Sequence, residues 1–173
     1  MKKILLTSFQ TWLPHQKSNS SDDLIAIIEN QSCDFASLFC LRQLPVNIEQ
    51  ASQEAIATLA QFQFDAIVCC GMAEKRKKLT LESNAVGCDR CLYTSINLLE
   101  LVELLTDTTV SHDAGKFVCE GLYYQLLNHL ELSEISIPCL FVHVPQLNTS
   151  NLQIIQQDFY AILRYISNFT TAQ

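Results

Sequence analysis

Two hydrophobic periods alternate along the chain: short, almost wholly apolar runs, and longer stretches in which apolar residues return every three or four positions. The first pattern suits strands covered on both faces and the second amphipathic helices. Lys3 to Ser8 is predicted as the first strand, Asp22 to Glu29 as the core of a helix and Ser37 to Val46 as a second extended run. Asn47 caps a helix reaching about Gln61, with Ile48, Ala51, Ala55, Ile56 and Leu59 as its apolar positions. Asp65 to Gly71 is a third strand, and the alternating residues Lys78 to Ser83 form a short one. A helix over Ile96 to Leu105, a brief strand around Val110, a helix over Phe117 to Leu130, a last central strand over Ile135 to Val144 and an amphipathic helix over Asn151 to Ile166 complete the series. This alternation predicts an α/β fold, a three-layer α/β/α sandwich around a mostly parallel open sheet, forming a single domain over residues 1–173.

Composition narrows the function. With 173 residues, 49% of them hydrophobic, the chain can bury a full core without disulfide staples. Its net charge is −7, and the basic run Lys75 to Lys78 reads as a solvated turn, so neither nucleic acid nor a membrane surface is expected as a partner. The eight cysteines lie mostly inside apolar runs, and the apolar residues after Lys3 are too few for a secretion signal. No stretch approaches transmembrane length, and the expected compartment is the reducing cytoplasm. Cys88 and Cys91 have C-x-x-C spacing without a second pair, so no metal site is expected; Cys69 and Cys70 read as core.

Candidate chemistry centres on Ser111 to Tyr124, a polar, glycine-containing loop that passes into a helix. Cys119 lies near that helix's start, where unpaired N–H groups and the positive end of the dipole favour a thiolate. His143 stands near the end of the last central strand, just before Pro145. Open α/β sheets gather their chemistry at the carboxyl ends of strands, so the two are expected to meet at one rim. The loop after the first strand carries Phe9 and Trp12, which could sandwich a flat ring or simply cover the sheet. From its own surroundings, Glu82 reads only as a strand carboxylate.

These residues also carry a family resemblance. Ser111-His112-Asp113-Ala114-Gly115-Lys116-Phe117-Val118-Cys119 resembles the nucleophile motif of the pyroglutamyl peptidase I (pyrrolidone carboxyl peptidase) family, and Phe141-Val142-His143-Val144-Pro145 resembles its histidine segment. The spacing of Gly71, Arg76 and Glu82 matches a third motif. The resemblance implies a phosphorylase/hydrolase-like fold and a cysteine peptidase with Cys119 as nucleophile, His143 as acid–base and Glu82 as the acid that orients it. It further implies that Phe9 and Trp12 flank a pyroglutamyl lactam and that Asn19, in Asn19-Ser20-Ser21, belongs to the substrate site. The implied substrate is a small peptide beginning with pyroglutamate, and no metal or organic cofactor is required.

The chain departs from the family pattern in several places. Leu13-Pro14-His15 replaces glycines, Ser8 stands for a glycine, Ser83 and Gly87 stand for Arg and Asn, and Glu120 stands for the Asn beside the nucleophile. A long Pro- and Gly-rich loop before Leu92 is nearly absent. A diverged amidase for another small cyclic or N-acyl amide, and a non-catalytic binding protein of the same fold, therefore remain alternatives. Self-association as a homo-oligomer is likewise left open.

Overall fold

The computed structural model describes residues 1–87 and 90–169. Its elements are β1 (Lys2–Phe9), α1 (Ser20–Glu29), β2 (Ala36–Leu44), α2 (Ile48–Gln61), β3 (Ala66–Met72), β4 (Leu79–Glu82), β5 (Asn84–Val86), β6 (Cys91–Tyr93), α3 (Leu98–Glu103), β7 (Thr108–Ser111), α4 (Val118–Leu132), β8 (Cys139–Val144) and α5 (Leu152–Ser167). The main sheet has the order β2-β1-β3-β8-β4-β7. Its first four strands are parallel, whereas β4 runs antiparallel to β8, and β7 follows β4. The fold is α/β with a mostly parallel central sheet, as the hydrophobic pattern predicts.

Strand parity divides the core in two. Leu5, Ile67, Cys69, Cys139 and Phe141 face α2 and α4, where they meet Ala51, Ala55, Val118, Leu122 and Tyr123. The alternate residues Ile4, Leu6, Val68, Leu140, Val142 and Val144 face α1 and α5 and pack on Ile25, Phe159 and Ile162. Strands β3 and β8 are buried at every position, as strands covered on both faces must be. Asparagine side chains begin three helices: Asn19, Asn47 and Asn97 accept from the backbone N–H of Ser21, Gln50 and Glu100. The α4 N-terminus has no side-chain cap.

The structure revises several expected boundaries. Strand β8 begins at Cys139, not Ile135: Pro138 has no N–H for the ladder, although its carbonyl still accepts from Ile67 N at 2.9 Å. Helix α3 stops at Glu103. The antiparallel hairpin β5–β6 pairs Asn84 with Tyr93 and Val86 with Cys91, a feature the periodicity does not announce. Of the C-x-x-C pair, Cys88 lies outside the described residues, and Cys91 is a free thiol on β6. Among the described residues, no helix is long and apolar enough to cross a membrane.

Candidate active site

Register alone sets much of the site. Gly71 on β3, His143 on β8 and Thr80 on β4 lie abreast, and one layer below them are Cys69, Phe141 and Glu82, with Ser111 beside Glu82 on β7. Residues paired across strands point to the same face, and in this case that face is covered by α4. The first turn of α4 places Cys119 over Gly71: a Cβ on Gly71 would lie 2.5 Å from Cys119 Sγ and 2.9 Å from the Phe141 ring. Glycine is therefore required for the sulfur to approach the sheet so closely. Cys119 thus sits over the residue that the register places beside His143, although their sequence neighbourhoods are far apart.

His143 is held from below. Its Nδ1 lies 2.7 Å from Glu82 Oε1, and the Phe141 ring packs at 4.9 Å between centroids. Glu82 is fully buried, at 0% exposure. Burial is the largest influence on its carboxyl and raises its pKa. His143, by its hydrogen bond and its charge, the nearby Ser111 hydroxyl and the Arg76 guanidinium oppose this and together hold it below the ordinary carboxylate range. A carboxylate at this distance accepts from Nδ1–H, which orients the ring and leaves Nε2 as its other polar atom. Glu82 Oε2 has no hydrogen-bond partner among the described residues, while the neighbouring Ser111 hydroxyl donates to Asp113 O at 3.2 Å.

The expected thiolate is not what the structure supports. The Cys119 thiol is pushed up to about 12, first by burial and then by the negative charge of Glu82; Arg76 and the backbone N–H of Cys119 act in the opposite direction and lose. Helix-end electrostatics are outweighed where the sulfur is wedged against Gly71 and Phe141. Burial against Gly71 and Phe141 thus favours the thiol over the thiolate.

The aromatic expectation is also revised. Phe9 is 1% exposed and belongs to the core beneath α2, because it is the last residue of β1 and shares the parity of Leu5. Trp12, 36% exposed, pairs instead with Phe117, at 6.1 Å between centroids and 49° between planes. Phe117 immediately precedes α4 and is 52% exposed. Its signal in the sequence is an apolar ring in the polar loop before Cys119.

Asn19 is likewise not a free ligand. It is buried; Oδ1 accepts from Ser21 N and Ser21 Oγ, and Nδ2 donates to Gln10 O at 3.2 Å. It caps α1 and fastens the aromatic turn. Where the family glycines are missing, Gln16 Oε1 accepts from Trp12 N and Leu13 N, and Gln16 Nε2 donates to Glu74 at 2.8 Å. Ser83 Oγ lies 2.7 Å from His112 Nδ1, and Glu120 accepts from Val86 N, which ties the β5–β6 hairpin to α4. Arg90 pairs with Glu131 well along α4, away from the rim.

No protein-family model matches the chain. It is 24% identical over 171 residues to pyrrolidone-carboxylate peptidase 1 of Caldanaerobacter subterraneus subsp. tengcongensis, covering 84% of this chain and 83% of that protein. It is 22% identical over 170 residues to the pyrrolidone-carboxylate peptidase of Oceanobacillus iheyensis, covering 84% of each. Among solved structures, pyroglutamyl peptidase I of Bacillus amyloliquefaciens superposes with a TM-score of 0.86 at 20% identity over 98% of both chains. The pyrrolidone carboxyl peptidase of Thermococcus litoralis gives 0.81 at 16% identity over 100% of both. The resemblance seen in the motifs therefore extends across the fold.

Proposed function

We propose that the chain is a cysteine exopeptidase that removes an N-terminal pyroglutamyl group from small peptides by way of an acyl-enzyme. The observation that carries this reading is the seating of Cys119 Sγ against Gly71, beside an imidazole fixed by a buried carboxylate. Its support from outside the chain is the similarity to pyrrolidone-carboxylate peptidases.

Because the resting thiol is neutral, deprotonation and attack are coupled. His143 Nε2 takes the thiol proton as Sγ bonds to the amide carbonyl carbon, and Glu82 stabilises the imidazolium that results. The N–H groups of the uncapped first turn of α4 are available to the oxyanion. Collapse breaks the C–N bond and leaves a thioester, while His143 returns its proton to the departing amine. A water molecule, deprotonated by the same imidazole, then attacks the thioester and releases pyroglutamate, restoring the thiol.

Trp12 and Phe117 are the faces offered to the lactam. The two rings now pack on each other at 6.1 Å between centroids and 49° between planes, so a flat ring stacked between them requires them to part and turn toward parallel, with contacts of roughly 3.5 Å on each face. A single domain working in a reducing cytoplasm, where the thiol stays free, completes the proposal.

Incubation with a chromogenic pyroglutamyl anilide tests it. Release by the wild type, lowered at least roughly 10³-fold in Cys119→Ala, is expected. Absence of release by the wild type, or undiminished release by the variant, would reject it. Turnover of other cyclic or N-acyl amides alone would favour the diverged amidase.

A further inference from the structure

The basic run Lys75 to Lys78 does not behave as one solvated unit. Lys75, Lys77 and Lys78 are exposed, but Arg76 turns inward, and its side chain is 28% exposed. Its Nη1 donates to Thr80 Oγ1 and, at 2.5 Å, to Glu82 Oε1. Its Nη2 donates to Asp113 O at 2.9 Å and to Ser111 Oγ at 3.4 Å. One planar guanidinium thus spans the strand that bears the acid and the loop that leads to the nucleophile. The oxygen it contacts on Glu82 is the same one that receives His143.

We infer that Arg76 is a positioning residue: it locks Glu82 to the loop carrying Cys119, so that acid, imidazole and sulfur keep one mutual arrangement. The role in turnover rests on the peptidase reading above; the effect on the sulfur does not.

Two physical features support the inference. Only a rigid fork with donors on two arms can serve a carboxylate and a backbone carbonyl on separate segments; an ammonium supplies charge at a single point. Arg76 also opposes Glu82 electrostatically at the sulfur, since the carboxylate raises and the guanidinium lowers the thiol's pKa, both after burial. The other titratable groups around this centre are His143 from β8, Cys69 from β3, Tyr123 from α4, whose hydroxyl donates to Glu82 O at 3.1 Å, and Asp113 from the loop. Of these, His143 shares with Arg76 the same oxygen of Glu82.

Arg76→Gln and Arg76→Lys in the full chain separate the two contributions. Iodoacetamide alkylation, followed at the Cys119 peptide by mass spectrometry as a function of pH, reads the sulfur directly. Hydrolysis of the pyroglutamyl anilide reads the arrangement. For Arg76→Gln we expect slower alkylation at each pH, its rise displaced to higher pH, and a kcat lowered roughly 10- to 100-fold with KM changed less than about threefold. Arg76→Lys should recover the alkylation profile but leave kcat at least roughly tenfold down, because charge returns and the second anchor does not. Should the glutamine variant fail to fold, the lysine variant decides alone: wild-type kcat there would overturn the inference. Wild-type alkylation in a folded Arg76→Gln would also overturn it. A wild-type protein that does not turn over the anilide removes the peptidase reading, while the alkylation profiles still decide the role of Arg76.

Discussion

Glu82 Oε1 meets His143 Nδ1 at 2.7 Å, although the register opposes Glu82 to Phe141 and places Thr80 opposite His143. Because β4 runs against β8, the carboxylate starts one layer below the imidazole and reaches up to it from the sealed interior. This offset explains how the acid is fully buried while the imidazole remains at the rim.

Replacing Glu82 with Gln keeps the volume but removes the charge that fixes the Nδ1–H tautomer. The expected outcome is a kcat lowered by roughly 10² to 10⁴, with KM nearly constant, as measured with a pyroglutamyl anilide. A loss confined to KM would mean that the pair serves binding, not proton transfer.

Gly71→Ala adds a methyl group where Sγ stands at 2.5 Å and the Phe141 ring at 2.9 Å. Overpacking of this kind costs roughly 1–3 kcal/mol. A lower melting temperature should accompany slower alkylation of Cys119, and unchanged reactivity would contradict the seating of the sulfur on this glycine.

The two exposed rings and the buried one should respond differently. Trp12→Ala and Phe117→Ala should each raise KM by about two- to tenfold, the equivalent of roughly 0.5–1.5 kcal/mol per ring contact, with urea midpoints little changed. Phe9→Ala, a core truncation, should lower stability by roughly 3–5 kcal/mol. Equal effects of Phe9 and Trp12 on KM would restore the pairing suggested by their spacing.

With the Cys119 thiol pushed up to about 12, its alkylation in the free protein should keep rising through pH 10, past the point at which an exposed thiol, near pKa 8.5, levels off. The folded protein favours the protonated sulfur, so the associated stability is full below the ordinary thiol pKa and falls as pH climbs toward the folded value. A reactivity plateau near neutrality would reveal an ion-paired thiolate instead.

Acid stability should depend on Asp22. Burial raises its pKa most strongly, but bonds from Arg42, Ser8 and Gln43 prevail and depress the folded value. Its contribution is therefore present above the ordinary aspartate range and is lost as pH falls through the folded value. Asp22→Asn should cost roughly 1.5–3 kcal/mol at pH 7 and flatten the acid limb of a melting-temperature profile. This network also sets Ser8, whose hydroxyl donates to Asp22 at 2.6 Å, beside the β-bulge where Gln43 adopts φ 58.

Much of the centre could be read from residue order. Cys119 after a polar loop and His143 before Pro145 mark a helix start and a strand end, and parallel strands bring such positions to one rim. Asn19-Ser20-Ser21 before an apolar-periodic run was readable as a cap, which is how the side chain is used. Other features depend on information that local pattern does not contain. Alternation over Leu79–Glu82 gives a strand but not its direction, and that direction buries Glu82. The spacing of Phe9 and Trp12 conceals that one ends a strand and the other begins a turn. Arg76 lies among lysines, and only the tertiary placement of Glu82 and Asp113 separates it from them.

The aromatic gap has one braced wall and one unbraced wall. The turn bearing Trp12 is closed on Gln16 through Trp12 N and Leu13 N and tied to the body where Gln16 donates to Glu74, whereas Phe117 stands at the head of a helix with no side-chain cap among the described residues, two residues after Gly115 at φ 93. Any parting of the two rings therefore falls to Phe117, and because Cys119 follows two residues later, the same movement adjusts the aim of the sulfur.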